Sequence, residues 1–481
     1  MANKTDAQLD GPRLKAVADQ IRLIYTSDGR PWVIGYSGGK DSTAAVQLVW
    51  HALAELPQEQ RTKPVYIIAS DTLVETPVIV DYINRSLERI NAAAKQSGLP
   101  ISAHKVLPEL QNTFWVNMIG RGYPAPYRRF RWCTDRLKIE PANKFIQARV
   151  SEHGEVVLVL GVRRSESTTR ARVIDLHQKP GQLLSPHSTL TGAMVYTPVV
   201  DFSTDDVWAY LLSVPSPWGN NNRDLVTMYR NAQAGECPLV VDKTTPSCGN
   251  SRFGCWTCTV VERDRSMEAM VDSGEEWLIP LLELRDWLGS TRDPAKKHRF
   301  REVRRRDGRV HIWGDNKDKI IWGPYKLEVR KEILRLLLMA EQSVQEEGPI
   351  STMRLISDEE LHVIRRLWRM EEGDWEDSLP KIVQDATGKA LDWVDDDVAG
   401  SSGLDIQVLA DVCGKHNVPP GAIRELIDLE RELQGLGRRT SVFDRIDRVL
   451  GKDWRTAEEV FQSINWRQSE QATELGGHDA D

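Results

Sequence analysis

Long apolar runs are missing from this chain of 481 residues. None approaches the about 18 consecutive apolar residues that a membrane-spanning helix needs, which excludes a membrane protein of that kind. The opening run MANKTDAQLDG lacks an apolar signal core, which predicts a protein that stays in the cytoplasm. Cysteine is scarce, with six residues in all, too few for the disulfide framework of a small secreted domain. Five of the six fall between positions 133 and 258, and such clustering in an intracellular chain points to a metal centre. Excess positive charge is also missing: the net charge is -7, which excludes a globally basic nucleic-acid binder and leaves room only for local basic patches. No internal repeat is visible. The length predicts two or three domains with a substantial core.

What the sequence does contain is a phosphate-binding turn. The hexapeptide SGGKDS, Ser37 to Ser42, follows the apolar run Trp32, Val33, Ile34, Gly35, Tyr36 and opens a helical pattern. Two glycines let backbone N–H groups crowd around a phosphate, and the helix N-terminus adds its positive dipole end. Lys40 brings a mobile positive charge and Asp41 a candidate Mg2+ ligand. The spacing is not that of the Walker A turn, which has four residues between its first glycine and its Gly-Lys pair. A glycine-rich connection after a core strand is the ordinary alternative, disfavoured by six contiguous matches in a strand–turn–helix context. The turn resembles the PP-loop of ATP pyrophosphatases, which cleave ATP between its α and β phosphorus atoms. That resemblance makes Ser37, Gly38, Gly39, Lys40, Asp41 and Ser42 the candidate ATP ligands, with Asp71 after the next strand.

Apolar runs at 32–36, 64–69, 101–106, 156–161 and 195–200 alternate with helical patterns such as Leu14, Val17, Ile21, Ile24 and Val78, Tyr82, Ile83, Leu87, Ile90. The reading is an α/β protein: a PP-loop (HUP-like), doubly wound, mostly parallel sheet, with ligands at the carboxyl ends of its strands. The polar turn-rich stretch from Pro215 to Asn222 marks a boundary. The expected organisation is a PP-loop domain over 1–215, a cysteine-rich segment over 216–262, a basic helical region over 263–345 and a helical C-terminal region over 346–481 with a disordered tail.

Three stretches sit where ligand-binding loops of such a sheet should be: Asp71-Thr72 with Glu75-Thr76, Trp132 to Lys138, and GVRRSESTTR from Gly161 to Arg170. With Thr197 to Asp201 and Asp205 to Trp208, they resemble the adenylylsulfate and phosphoadenylylsulfate reductases across about the first 215 residues. Arg163, Arg164 and Arg170 can offer forked guanidinium groups to phosphate or sulfate oxygens; an ion-paired helix start is the plainer alternative. The chain departs from those reductases in two places. Its tail, Glu474 to Asp481, has no cysteine, and Trp132 with Cys133 stands where the cluster-binding subgroup has a Cys-Cys pair. Reduction of a small sulfonucleotide is therefore the second reading.

The PP-loop, GVRRSESTTRAR and the segment PSCGNSRFGCWTCTVVERDRSM together resemble the DndC family, the sulfur-inserting ATPases of bacterial DNA phosphorothioation systems, over roughly residues 20–345. The resemblance implies replacement of a non-bridging DNA phosphate oxygen by sulfur after adenylation by ATP. It implies DNA, a cysteine desulfurase and other phosphorothioation proteins as partners, with Lys40, Asp41, Arg163, Arg164 and Arg170 as catalytic residues. Matching against the cluster-binding reductases, it implies a [4Fe-4S] cluster on Cys133, Cys248, Cys255 and Cys258. Structural zinc is the competing reading, although only one Cys-x2-Cys pair is present. Cys237 is a substitute ligand or a free thiol able to carry persulfide, and Cys413 reads as an ordinary half-buried cysteine.

Two basic surfaces are candidates for a nucleic-acid backbone. Residues 292–309 hold nine Lys or Arg against three acidic residues, and Arg128, Arg129 and Arg131 lie beside Tyr123, Tyr127 and Trp132. A solvated helix face or a docking site for an acidic partner is the alternative for 292–309. No base-reading helix of a known module is apparent.

Overall fold

In the computed structural model the described residues are 10–177, 181–232, 254–314, 319–393, 403–433 and 442–464. The chain divides into two compact units, one made of residues 1–109 and 131–276, the other of 110–130 and 277–481.

The first unit is the expected α/β layer structure. Its elements run α1 (Gly11–Thr26), β1 (Trp32–Gly35), α2 (Lys40–Ala54), β2 (Val65–Ser70), α3 (Pro77–Gln96), β3 (Ile101–Val106), the short turn α4 (Trp132–Thr134), α5 (Glu140–His153) and β4 (Val156–Val159). Then come α6 (Thr168–His177), β5 (Ser185–Pro186), β6 (Ala193–Tyr196), α7 (Thr204–Ser213), α8 (Asn222–Ala232) and α9 (Arg265–Asp272). The sheet order is β3-β2-β1-β4-β6-β5. All neighbours are parallel except the short edge strand β5, which runs antiparallel to β6. The chain therefore builds outward through β2 and β3 on one side of β1, then returns to lay β4 on the other. That reversal puts a topological switch point between the carboxyl ends of β1 and β4, where such sheets bind ligands.

Strand patterning explains why the sheet is covered on both faces. Trp32, Ile34, Val157 and Val159 pack into one core with Ile24, Val46, Val49, Ile90 and Trp208. Their neighbours Val33, Val156 and Leu158 face the other way, with Ile68, Val106 and Ile146. Alternate residues point to opposite faces of a strand, so continuous apolar runs such as Val156–Val159 are buried twice over. Each fully buried aliphatic side chain contributes about 1.5–3 kcal/mol. The sequence pattern predicts a last parallel strand over 195–200; the structure ends β6 at Tyr196. Pro198 cannot donate to a ladder, and a turn closes instead, with Val200 N donating to Thr197 O at 3.3 Å.

The second unit is mainly helical: α10 (Ile279–Ser290), α11 (Lys297–Phe300), the hairpin β7 (His311–Trp313) and β8 (Lys319–Ile321), α12 (Leu327–Glu347), α13 (Asp358–Glu371), α14 (Ser378–Thr387), α15 (Gly403–His416), α16 (Pro420–Leu433), α17 (Val442–Leu450) and α18 (Ala457–Ser463). Segment 110–130 leaves the sheet and becomes part of this unit's core. The indole of Trp115 donates to Leu355 O and that of Trp368 to Ile119 O, both at 2.8 Å. Arg330, only 1% exposed, donates to Tyr325 O at 2.7 Å and Gly120 O at 3.1 Å and pairs with Glu372 at 2.8 Å. The stripe Ile333, Leu334, Leu337, Leu338, spaced along one helix face, is buried core. Among the described residues no helix is long and apolar enough to cross a membrane.

Candidate active site

The turn after β1 is wrapped by its own side chains. Gly38 has φ +72°, the left-handed conformation that glycine adopts without a steric penalty, and a Cβ there would meet Tyr82 and Ile83 at 3.3 Å. Ser42 Oγ donates to Gly39 O at 3.0 Å and accepts from Ser37 N at 3.2 Å, closing the loop over the start of α2. Lys40 and Asp41 then stand on the first turn of α2, where backbone N–H groups have no partner within the helix. Lys40 Nζ lies 3.1 Å from Asp41 Oδ2, and Arg163 Nε lies 2.6 Å from Asp41 Oδ1. Arg163 is 1% exposed, and its guanidinium also donates to Ser165 Oγ at 2.8 Å and Thr204 Oγ1 at 3.3 Å. The pair Arg163–Asp41 thus ties the loop after β4 to the turn after β1 across the switch point.

Gly161 is what lets those loops meet. A Cβ at this position would lie 2.6 Å from Asp41 O and 2.8 Å from Ser42 Cα, both backbone atoms that cannot swing aside. Gly161→Ala is expected to destabilise the unit by about 1–3 kcal/mol, the usual cost of overpacking, read as a lower denaturation midpoint. An unchanged midpoint would mean the loops do not approach this closely.

These loops enclose a cleft of about 770 Å3 whose lining includes Ser37 to Ser42, Gly161, Glu166, Arg131, Glu75, Lys138 and Tyr229. That volume falls within the range of small-molecule sites. Tyr229, on α8, carries no signal in the sequence that would mark it as part of the site. Its hydroxyl accepts from Lys40 N at 3.4 Å, its ring lies 5.0 Å beneath Lys40 Nζ, and it sits 3.1 Å from where a Cβ of Gly39 would be. It therefore covers the start of α2, where a phosphate would be held.

The other predicted residues are distributed as follows. Asp71 faces Lys105 at 3.2 Å and accepts from Leu73 N at 2.9 Å. Arg164 pairs with Asp175 at 2.8 Å and Asp201 at 3.2 Å. Arg170 belongs to α6, and its side chain lies outside the described residues.

Cys133, Cys255 and Cys258 are brought together, all half-buried. Cys255 is carried by a bridge with Glu75, where Trp256 N donates to Val74 O at 3.0 Å and Thr76 N to Gly254 O at 3.3 Å. Cys258 N closes a turn onto Cys255 O at 3.0 Å. Burial, and then the charge of Cys258, push the Cys133 thiol up. Burial and the Glu75 carboxylate push Cys255 up further, partly offset by Lys138. Burial lowers the Lys138 ammonium, but Cys255 and Glu75 outweigh it and hold it above the ordinary lysine range. Lys138 Nζ sits 3.0 Å from Glu75 Oε1, which in turn accepts from Thr72 Oγ1 at 3.1 Å. Glu75 and Lys138 touch or face Cys255 and also line the cleft, so the thiols adjoin the space before the turn at Ser37 to Ser42.

Among the described residues no three His, Cys, Asp or Glu side chains stand in ligating geometry. Cys237 and Cys248 lie outside the described residues. The donors present are soft sulfur atoms from two chain segments, which fits an iron–sulfur cluster or zinc. Cys413, on α15, is 3% exposed, buried more deeply than the half-buried position its sequence context predicts.

Residues 31–261 match the family model described as the phosphoadenosine phosphosulfate reductase domain. Residues 404–451 match a model described as a small protein found in certain Dnd DNA modification systems. An uncharacterized protein of Methanocaldococcus jannaschii is 23% identical over 282 residues, 59% of this chain, and the match spans 46% of that relative's length. Among solved structures, the phosphate complex of phosphoadenylyl-sulfate reductase from Candida auris shows 15% identity over 44% of this chain and 92% of its own, with a TM-score of 0.26. The U34-tRNA thiolase NcsA of Methanococcus maripaludis with its [4Fe-4S] cluster shows 11% identity over 58% of this chain and 79% of its own, TM-score 0.28. By the two family models, the chain carries a phosphoadenosine phosphosulfate reductase-like PP-loop domain over 31–261 and, over 404–451, a segment similar to a small protein found in certain Dnd DNA modification systems.

Proposed function

We propose that this chain is a cytoplasmic enzyme that uses ATP to activate a DNA backbone phosphate for replacement of one oxygen by sulfur, in the manner of the DndC family. The observation that carries this reading is the union, in one chain, of a reductase-like PP-loop domain at 31–261 with a segment at 404–451 that resembles small proteins of Dnd DNA modification systems. A PP-loop domain alone would serve many adenylating enzymes; the second match supports DNA modification among them.

The residues of the cleft suit the first half of that chemistry. A non-bridging oxygen of the DNA phosphate attacks the α-phosphorus of ATP, the α–β bridging bond breaks, and pyrophosphate leaves with its electron pair. The N–H groups of Gly38 to Asp41 and the start of α2 cradle the departing β and γ phosphates. Lys40 turns from Asp41 to those phosphates as they gain charge. Asp41 Oδ2, freed by that turn, is the candidate ligand for a magnesium ion, which would neutralise phosphate charge when bound. Arg163 stays on Asp41 Oδ1 and acts through it as a positioning residue, while Arg164 and Arg170 belong to the segment that faces the polyanion. In the second half a sulfur nucleophile attacks the DNA phosphorus, the bond to the adenylated oxygen breaks, and AMP leaves carrying that oxygen.

Cys133, Cys255 and Cys258, with Cys248 as fourth ligand, would hold a [4Fe-4S] cluster, which would supply a site for sulfur binding. The sulfur itself comes from a cysteine desulfurase, and further phosphorothioation proteins are partners. The test is stimulation: anaerobically prepared protein with magnesium should convert ATP to AMP and pyrophosphate faster when DNA is added. Formation of ADP and orthophosphate instead would refute the PP-loop assignment.

A further inference from the structure

The second unit contains a cleft that the chemistry above does not use. It encloses about 850 Å3, with nine cationic side chains against six carboxylates in its lining. One wall is the basic segment Arg304, Arg305, Arg306; the other is α16, α17 and the turn after them. The walls meet through glycines. Asp453 N donates to Gly308 O at 2.8 Å, and a Cβ on Gly308 would lie 2.5 Å from Lys452 Cγ. Gly373, at φ +66°, similarly admits Arg424, which donates to Gly373 O at 3.1 Å.

The carboxylates of this cleft are largely taken. Glu425 holds Lys452, Glu432 holds Arg445, Glu371 holds Arg306 at 3.7 Å, and Glu372 is held at 2.8 Å by Arg330, which is not in the wall. What remains is positive. Arg304 lies over Trp454, 4.4 Å from the ring centre, and donates to Asp453 O at 3.4 Å, with the Asp453 carboxylate in its field. Arg305 and Arg448 are exposed on opposite walls and form no ion pair among the described residues. Asp307 and Asp453 lie within the field of Arg305 and Arg304, but nine cations against six carboxylates leave the lining with an excess of positive charge, which a bound polyanion would neutralise.

We infer that this cleft binds the phosphodiester backbone of one DNA strand, with Arg305 and Arg448 contacting phosphates from opposite walls. This rests on the reading that DNA is the substrate and adds where the strand runs. Eight of the nine cations are arginine, whose planar fork matches phosphate oxygens. Arg304 on Trp454 and Arg306 over Tyr123, at 5.3 Å, present further guanidinium groups already seated on rings. The volume is that of a small-ligand site, so it takes a few consecutive backbone units and not the full width of a duplex.

The test measures binding of the full-length protein to a fluorescent duplex, a single strand of the same length and a polyglutamate peptide of equal charge, each across a range of salt. In the double variant Arg305→Glu/Arg448→Glu, DNA affinity at about 0.1 M salt should fall at least roughly ten-fold. The slope of log affinity against log salt should shrink by about 0.9 for each phosphate that is no longer bound. Arg305→Lys/Arg448→Lys should keep most of the slope. If the glutamate variant fails to fold, as judged by its melting curve, Arg305→Gln/Arg448→Gln reads the same slope. Should the wild type bind DNA while the variants keep affinity and slope, the cleft is not the strand path, and the DNA reading stands. No binding of wild type to either DNA at low salt would overturn both. Tighter binding of polyglutamate than of DNA would make the cleft a docking site for an acidic protein and overturn this assignment.

Discussion

Asp41→Ala should abolish pyrophosphate release from ATP, a loss on the order of 10²-fold or more. Asp41 holds Lys40 at 3.1 Å and Arg163 at 2.6 Å, so its removal misplaces the buried Lys40 ammonium and deletes the candidate magnesium ligand together. It also strands Arg163, which is 1% exposed, and breaking a buried pair from one side costs about 3–5 kcal/mol. The loss of activity must therefore be separated from unfolding. Asp41→Asn keeps the shape and one acceptor; it should melt closer to wild type and still fail to release pyrophosphate. A well-folded Asp41→Asn protein with full activity would remove Asp41 from the chemistry.

The second large effect concerns the thiols. The anaerobically purified protein is expected to be brown and oxygen-sensitive, and Cys133→Ser, Cys255→Ser and Cys258→Ser should each lose most of the iron, measured per polypeptide alongside the visible absorbance. Cys413→Ser, in the core of α15, should keep it. Stoichiometric zinc without iron would establish the structural-zinc alternative. Retention of the cluster in Cys248→Ser would move the fourth ligand to Cys237.

How much of the fold and the site is legible in the sequence follows from how local each feature is. The strand–turn–helix around Ser37 to Ser42 is legible because its strand, glycines and helix start are contiguous, and each imposes its own backbone geometry. The doubly covered sheet is legible too, since continuous runs such as Val156–Val159 have no polar face to turn to solvent. Features that depend on distant chain segments are not. Tyr229 reaches Lys40 from 189 positions away, and no pattern around it marks it as part of the turn. Glu75 and Lys138 stand out as members of candidate loops, but their meeting at Cys255 depends on a bridge to a segment 180 residues on. The passage of residues 110–130 into the helical unit is likewise fixed by tertiary partners such as Leu355 for Trp115. Arg163 illustrates a different limit: its residue type suggests a free phosphate fork, whereas burial requires a partner for its charge, and that partner is Asp41.

The central claim is that a DNA phosphate oxygen becomes bonded to the α-phosphorus of ATP. The most direct measurement supplies DNA whose non-bridging backbone oxygens carry a heavy isotope, together with ATP, a sulfur donor and the anaerobic protein, and weighs the AMP released. The expected product is AMP containing one heavy oxygen, matched by sulfur in the DNA backbone. Unlabelled AMP would mean that water, not DNA, attacks the α-phosphorus, and would contradict the claim.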